Sequence, residues 1–207
     1  MTVGACLSTT LQAHPHVFVN TQVDFRVSPD RELQALHVSW QYDAFTTLYL
    51  FDVLDLDRDS DGKLNDEDRA AIVVAETEWP EGYDGDIHLA IDGELQSMGV
   101  PQNGAAEMVD GQIIVSFDLP LTASVDMSGK QASLRLYDPA YYYAYSVAVV
   151  SDTQTHNTPC QATAFPFVPD KAAARTQRAL ATLSREETPE QADIGAQFSD
   201  EVTLICD

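Results

Sequence analysis

The hydrophobic period of this chain runs at two, switches to about 3.6 near residue 44 and later returns to two; that switch limits its folds more than its composition does. Val17–Val27, VFVNTQVDFRV, alternates apolar and polar residues and reads as a half-buried strand. Pro29-Asp30 marks a turn, and residues 33–42, LQALHVSWQY, read as the partner strand. From residue 44 to 54 the spacing becomes helical, with Phe45, Leu48, Tyr49, Phe51 and Leu54 as the expected inward face. Residues 66–78 predict a second helix, acidic in its first turn, with Ala70, Ala71, Val73 and Val74 inward and Pro80 and Gly82 closing it. Strands are expected again at 86–92, 111–119, 131–137, 142–150 and 202–206. Asp92-Gly93 supplies a hairpin turn into residues 94–98. Residues 170–187, Ala- and Arg-rich without a full apolar face, read as a surface helix or arm. The expected class is α+β, mainly β. One domain over residues 14–207 would form an antiparallel β-sandwich or curled sheet, with an EF-hand-like helix–loop–helix insertion at about 44–78.

What joins the two helices carries the clearest chemistry. Residues 57–68, DRDSDGKLNDED, place Asp57, Asp59 and Asp61 at the first, third and fifth positions of a twelve-residue calcium-type loop. Gly62 supplies the sharp turn, Lys63 a backbone carbonyl, Asn65 a contact through water, and Leu64 an anchor into the core. Hard oxygen donors at this spacing suit calcium, which accepts a large, flexible shell, better than magnesium, which wants a tight octahedron. Position twelve is Asp68, not the usual bidentate Glu, so its shorter arm reaches as a single ligand and weak affinity is expected, roughly 10⁻⁴ to 10⁻³ M. The competing reading is an acidic turn that caps the second helix.

Composition excludes several classes of partner. Eleven Lys and Arg against thirty-three Asp and Glu give a formal net charge of -22 over 207 residues. Such a surface repels nucleic-acid backbones and anionic lipid and draws cations, although much of the charge can serve solubility alone. No run approaches the roughly 20 apolar residues of a membrane helix, so direct membrane insertion is not expected. If Cys6 leaves with an N-terminal segment, Cys160 and Cys206 remain as a pair. A disulfide between them would close a loop of about 45 residues and stabilise by roughly 4 kcal/mol on the chain-entropy model, in an oxidising compartment. Two buried thiols are the alternative.

Residues 1–13, MTVGACLSTTLQA, are small, uncharged and mildly apolar, like the end of a secretory signal peptide, with a cut expected after Ala13. A lipoprotein-type cut at Cys6, leaving a lipid anchor, ranks second. Cleavage after Ala13 would make His14 the first residue, with Pro15 and His16 behind it. A free terminal amine with its own imidazole chelates a metal, and a neighbouring imidazole completes a nitrogen-rich site. Pro15 has no amide proton to lose, so a chelate through successive backbone amides is excluded. Two unengaged histidines at a strand end are the plain alternative. His37, His88 and His156 remain; His88 is carried as a weak third ligand, while His37 reads as a partly buried polar residue and His156 as a loop residue. Residues 137–145, YDPAYYYAY, read as an aromatic hairpin on the core ahead of a carbohydrate platform. No nucleophile elbow, phosphate loop, HExxH or CxxC occurs, so an enzyme is not the expected class.

Together, the His14-Pro15-His16-Val17-Phe18-Val19 start, the Trp40-Gln41-Tyr42-Asp43-Ala44-Phe45 run, the Asp61-Gly62-Lys63-Leu64 loop, the Tyr137-Asp138-Pro139 to Tyr145 stretch and the Gly195-Ala196-Gln197-Phe198 through Cys206 ending resemble domain-of-unknown-function family 1007. The resemblance covers nearly all of residues 14–207. It implies a periplasmic protein, described as the soluble component of an uncharacterised transport system, that accompanies an integral membrane nickel/cobalt-type permease. The acidic loop here is fuller than the family's minimal pattern, and Trp79-Pro80-Glu81-Gly82-Tyr83 replaces the usual short aromatic stretch. The leading expectation is therefore a periplasmic divalent-metal-binding accessory protein that takes nickel, cobalt, zinc or copper through His14 and His16 and carries a structural calcium loop. Two other readings stay open: a calcium-stabilised extracytoplasmic interaction module, and a copper-dependent oxidative enzyme built on the N-terminal histidine chelate.

Overall fold

A computed structural model describes residues 15–150, 160–183 and 187–206. It is mainly β, with two five-stranded sheets and three α-helices. The chain runs through β1 (Val17–Val27), β2 (Glu32–Tyr42), α1 (Ala44–Val53), α2 (Asp66–Thr77), β3 (Ile87–Ile91), β4 (Glu94–Leu95), β5 (Gln102–Val109), β6 (Gln112–Asp126), β7 (Gln131–Leu136), β8 (Tyr143–Val149), β9 (Cys160–Phe165), α3 (Lys171–Leu180) and β10 (Glu201–Cys206). The first sheet has the order β5-β6-β2-β1-β8, and the second β4-β3-β7-β10-β9. Among the described strands each pairing is antiparallel except β1 with β8, where Val17 to Val23 run parallel to Tyr143 to Val149.

Alternation sets which face of each strand is buried. Val19, Val23 and Phe25 of β1, Leu36 and Val38 of β2, and Val115 and Phe117 of β6 point into the same hydrophobic cluster as Leu89 of β3, Leu134 of β7, and Val202 and Leu204 of β10. Both sheets therefore share one core. Burying such side chains contributes roughly 1.5–3 kcal/mol each, before the entropy of ordering them is subtracted. Cys160 and Cys206 sit directly opposite in the β9–β10 register and are joined by a disulfide, which ties the second sheet's edge strand to its neighbour. No described helix is long and apolar enough to cross a membrane.

Three expectations need correction. The first is the burial of α1. Phe45 is 86 % exposed, and Leu48 and Tyr49 are also exposed, whereas Thr47 and Leu50 face inward. Asp43 fixes this rotation: its side chain caps α1 by accepting from the Thr46 N–H at 2.9 Å and also accepts from the Phe18 N–H at 3.0 Å. Thr47 can then bury because its Oγ1 accepts the Ile113 N–H of β6. Phe51 and Leu54 do pack against the core, as expected.

The second is α2, whose fully buried residue is Ile72; Ala71 and Val73 are partly buried, and Ala70 and Val74 are exposed. It lies on β5, a strand the sequence pattern did not suggest. Gly104 permits the approach, since a Cβ there would come within 2.6 Å of Val73 Cγ1. The third is the aromatic stretch at 137–145, which forms no hairpin. It carries the chain from β7 in one sheet to β8 in the other, and the Asp138 carboxylate holds the corner by accepting N–H groups of Ala140, Tyr142 and Tyr143.

Other boundaries follow the expected pattern closely. Asp92 and Gly93, at φ 50° and 87°, make the two-residue turn between β3 and β4. The expected arm at 170–187 resolves into α3, capped by Asp170, whose Ala173 and Leu180 pack with Tyr141, Ile194 and Phe198 in a second, smaller cluster.

Candidate functional site

Two groups of carboxylates stand out, and local structure sets each in place. The first is the segment between α1 and α2. Asp57, at φ 51°, turns its carboxylate back into the loop: Oδ1 accepts the Asp61 N–H at 2.9 Å and Oδ2 the Gly62 N–H at 3.1 Å. Gly62 has φ 77°, a conformation that a side chain disfavours. The Lys63 N–H donates to Asp61 Oδ1 at 2.9 Å, and the Lys63 ammonium lies 3.7 Å from Asp61 Oδ2. Leu64 is buried and pins the loop to the core.

As a result, one carboxylate oxygen from each of Asp57, Asp59 and Asp61 lies within 4.8 Å of the other two. Like charges at that separation repel by about 1 kcal/mol per pair even in bulk water. Hard oxygen donors gathered on one side of a loop fit a divalent cation of the calcium type, which would cancel that repulsion. Asn65 and Asp68 border the cluster with their side chains already engaged. Asn65 Oδ1 accepts the Glu67 and Asp68 N–H groups, and the Asp68 carboxylate accepts from Asn65 N–H at 2.9 Å, a reciprocal box that starts α2. Asp68 also accepts the Asp57 N–H at 3.3 Å, so it links both ends of the loop. The acidic cluster and the helix-capping turn are thus parts of one segment.

The histidines fall in different places. His14 and His156 lie outside the described residues, as does Cys6. His16 sits just before β1, its N–H donating to the Tyr142 carbonyl at 2.8 Å and its ring 4.7 Å from the Tyr142 ring. It lines a cavity of about 510 Å³ with Tyr42, Glu76 and Tyr143. His88, on β3, stacks on Tyr137 at 3.8 Å, with Nε2 3.2 Å from the Tyr137 carbonyl and Nδ1 3.7 Å from Asp84. It lines a separate cavity of about 490 Å³ beside Trp79, Tyr83 and Asp84. His37 pairs with Asp118 at 2.7 Å on the β2–β6 ladder, the partly buried polar role expected of it.

The second carboxylate group was not visible in the sequence. Glu76 of α2 accepts a hydrogen bond from the Tyr42 hydroxyl of β2, and burial pushes the Glu76 carboxyl above the ordinary range. Burial also raises the Tyr42 phenol, and the Glu76 charge raises it further. Asp86, just before β3 at φ 58°, is 5 % exposed and accepts from the Tyr145 hydroxyl at 2.7 Å. Burial pushes Asp86 up to about 7; the Tyr145 hydrogen bond holds it back, and the neighbouring Asp138 and Asp84 add to the rise. The turn that delivers Asp86 is packed tightly, since a Cβ on Gly85 would fall 2.3 Å from the Trp79 ring. A tyrosine paired with an acid 34 or 59 residues away leaves no local spacing to detect. The one hint was the concentration of tyrosines at 137–145.

Comparison with known proteins gives a family but no chemistry. The family model described as "Protein of unknown function (DUF1007)" matches residues 1–206. An uncharacterized protein of Haemophilus influenzae is 22% identical over 209 residues, covering 99% of this chain and 97% of that protein.

Proposed function

The chain belongs to that DUF1007 family, and from this premise we propose that it is an exported, periplasmic divalent-cation-binding accessory protein, its EF-hand-like loop at residues 57–68 holding calcium against a β-sandwich. The observation that carries the reading is the convergence of Asp57, Asp59 and Asp61, with both oxygens of Asp57 oriented by backbone N–H groups. Calcium there neutralises the triad and ties the exit of α1 to the start of α2. Its role is structural: a single hand, with no second one among the described residues to open against, stabilises. The disulfide between Cys160 and Cys206 is compatible with export to an oxidising compartment. Thermal unfolding tests the loop. Chelation lowers the melting temperature, calcium restores it, and magnesium at equal concentration restores less. A melting temperature indifferent to chelator and calcium refutes it.

The accessory role extends to transition metals. His16 shares a cavity with Glu76, so an imidazole and a carboxyl stand near the start of β1. With His14 as a processed N-terminus, the terminal amine and two imidazoles form a nitrogen-rich site for nickel, cobalt, zinc or copper, delivered to a membrane permease. Native mass spectrometry of protein beginning at His14 should show one such ion bound. Equal binding by protein beginning at Met1, or by His16→Ala, contradicts the role of the processed terminus.

A further inference from the structure

The cavity beside α1 does not need a metal to be read chemically. Its volume of about 510 Å³ falls within the roughly 300–1,000 Å³ of small-molecule sites. Its walls include the rings of His16, Tyr42, Phe45, Tyr49, Tyr142 and Tyr143, and among the described residues its one lining carboxyl is Glu76, with no Lys or Arg. Tyr42 donates to Glu76 Oε2, while Oε1 accepts no hydrogen bond from a described residue. Phe45 and Tyr49 stand 86 % and 60 % exposed on α1, a large aromatic area left in water at the cavity wall.

We propose that this cavity binds a small organic ammonium ion with an apolar body. The ammonium group would donate to Glu76 Oε1 and lie against tyrosine faces, whose quadrupoles attract a cation, while the apolar body covers Phe45 and Tyr49. Charge complementarity selects this ligand class. An anion would meet the Glu76 carboxyl with no Lys or Arg beside it and only the His16 imidazole to offset it, and a neutral ligand would leave the acid without a charged partner. The net charge of -22 adds a field that gathers organic cations as it gathers metal ions. The site uses none of the loop's ligands, so it stands or falls apart from the calcium reading.

Titration with 2-phenylethylammonium in the presence of EDTA, followed by tyrosine and tryptophan fluorescence, tests it against the neutral 2-phenylethanol. The ammonium ion should bind at least about tenfold more tightly than the alcohol. Glu76→Gln keeps an acceptor for Tyr42 and should reduce that preference to about threefold or less. Tyr49→Ala, on an exposed helix position where folding is not at stake, should weaken the ammonium ion by about three- to tenfold. Equal affinity for ammonium ion and alcohol, an unchanged preference in folded Glu76→Gln, or no binding of the ammonium ion up to about 10 mM would each overturn the proposal.

Discussion

Asp57, Asp59 and Asp61 stand largely in water with their oxygens turned toward one another, while Asp86 is buried and Glu76 half-buried among tyrosines, and each accepts from a phenolic hydroxyl. The same functional group is stabilised in opposite ways. Clustered, exposed carboxylates repel one another, and a cation would relieve that repulsion. Loss of solvation raises both of the others, and at Asp86, pushed up to about 7, a proton relieves the charge. The loop should therefore respond to metal, and the tyrosine-held acids to pH. Predictions follow from keeping those two responses apart.

The largest effect belongs to Asp86. Its carboxyl is pushed up to about 7 in the folded chain, against about 3.9 in an unfolded one, so between those values the folded state holds the extra proton. Stability from this group is present below about pH 4 and is lost as pH rises through 7, a change on the order of 4 kcal/mol. Asp86→Asn keeps an acceptor for Tyr145 and tolerates the positive φ. It should be more stable than wild type at pH 8, with the gap closing toward pH 4.5, when urea unfolding is compared across that range. A gap that does not vary with pH would mean that Asp86 is ionised throughout.

Next in size is calcium. At a concentration about 100 times its dissociation constant, the ion should add about 2.7 kcal/mol to unfolding stability. Asp57→Ala should abolish that gain and leave the pH-dependence of Asp86 untouched. If the variant still gains with calcium, the ion is acting on the acidic surface at large. Smaller again is Asp68→Ala, which breaks the reciprocal cap of α2 and should cost about 1–2 kcal/mol without calcium, read by urea unfolding. A loss that vanishes when calcium is absent would assign Asp68 to the ion instead of the helix.

The sequence made one of these regions legible and hid the other for a physical reason. The loop is local: four residues at fixed intervals, Asp57, Asp59, Asp61 and Gly62, announce it, and the flanking helices follow from periodicity. β1 and β2 were equally plain, because strict alternation has one buried face. β5 was not, since GAAE in its middle offers little alternation and its role is to receive α2. The face of α1 was misread because apolar residues surround it, and a threonine hydroxyl satisfied by Ile113 N–H fixes which side turns in. Glu76 and Asp86 become special only when strands bring Tyr42 and Tyr145 to them, a matter of long-range packing that no window of residues contains.

The most direct test follows the amide resonances of Asp61 and Gly62, whose N–H groups donate to Asp57, while calcium is titrated into chelator-treated protein. Saturable shifts at these two residues, complete at one ion per chain and absent in Asp57→Ala, are the expected result. Resonances that stay fixed, or that drift no more than those of other exposed acidic segments, would show that the charges of this loop hold no ion.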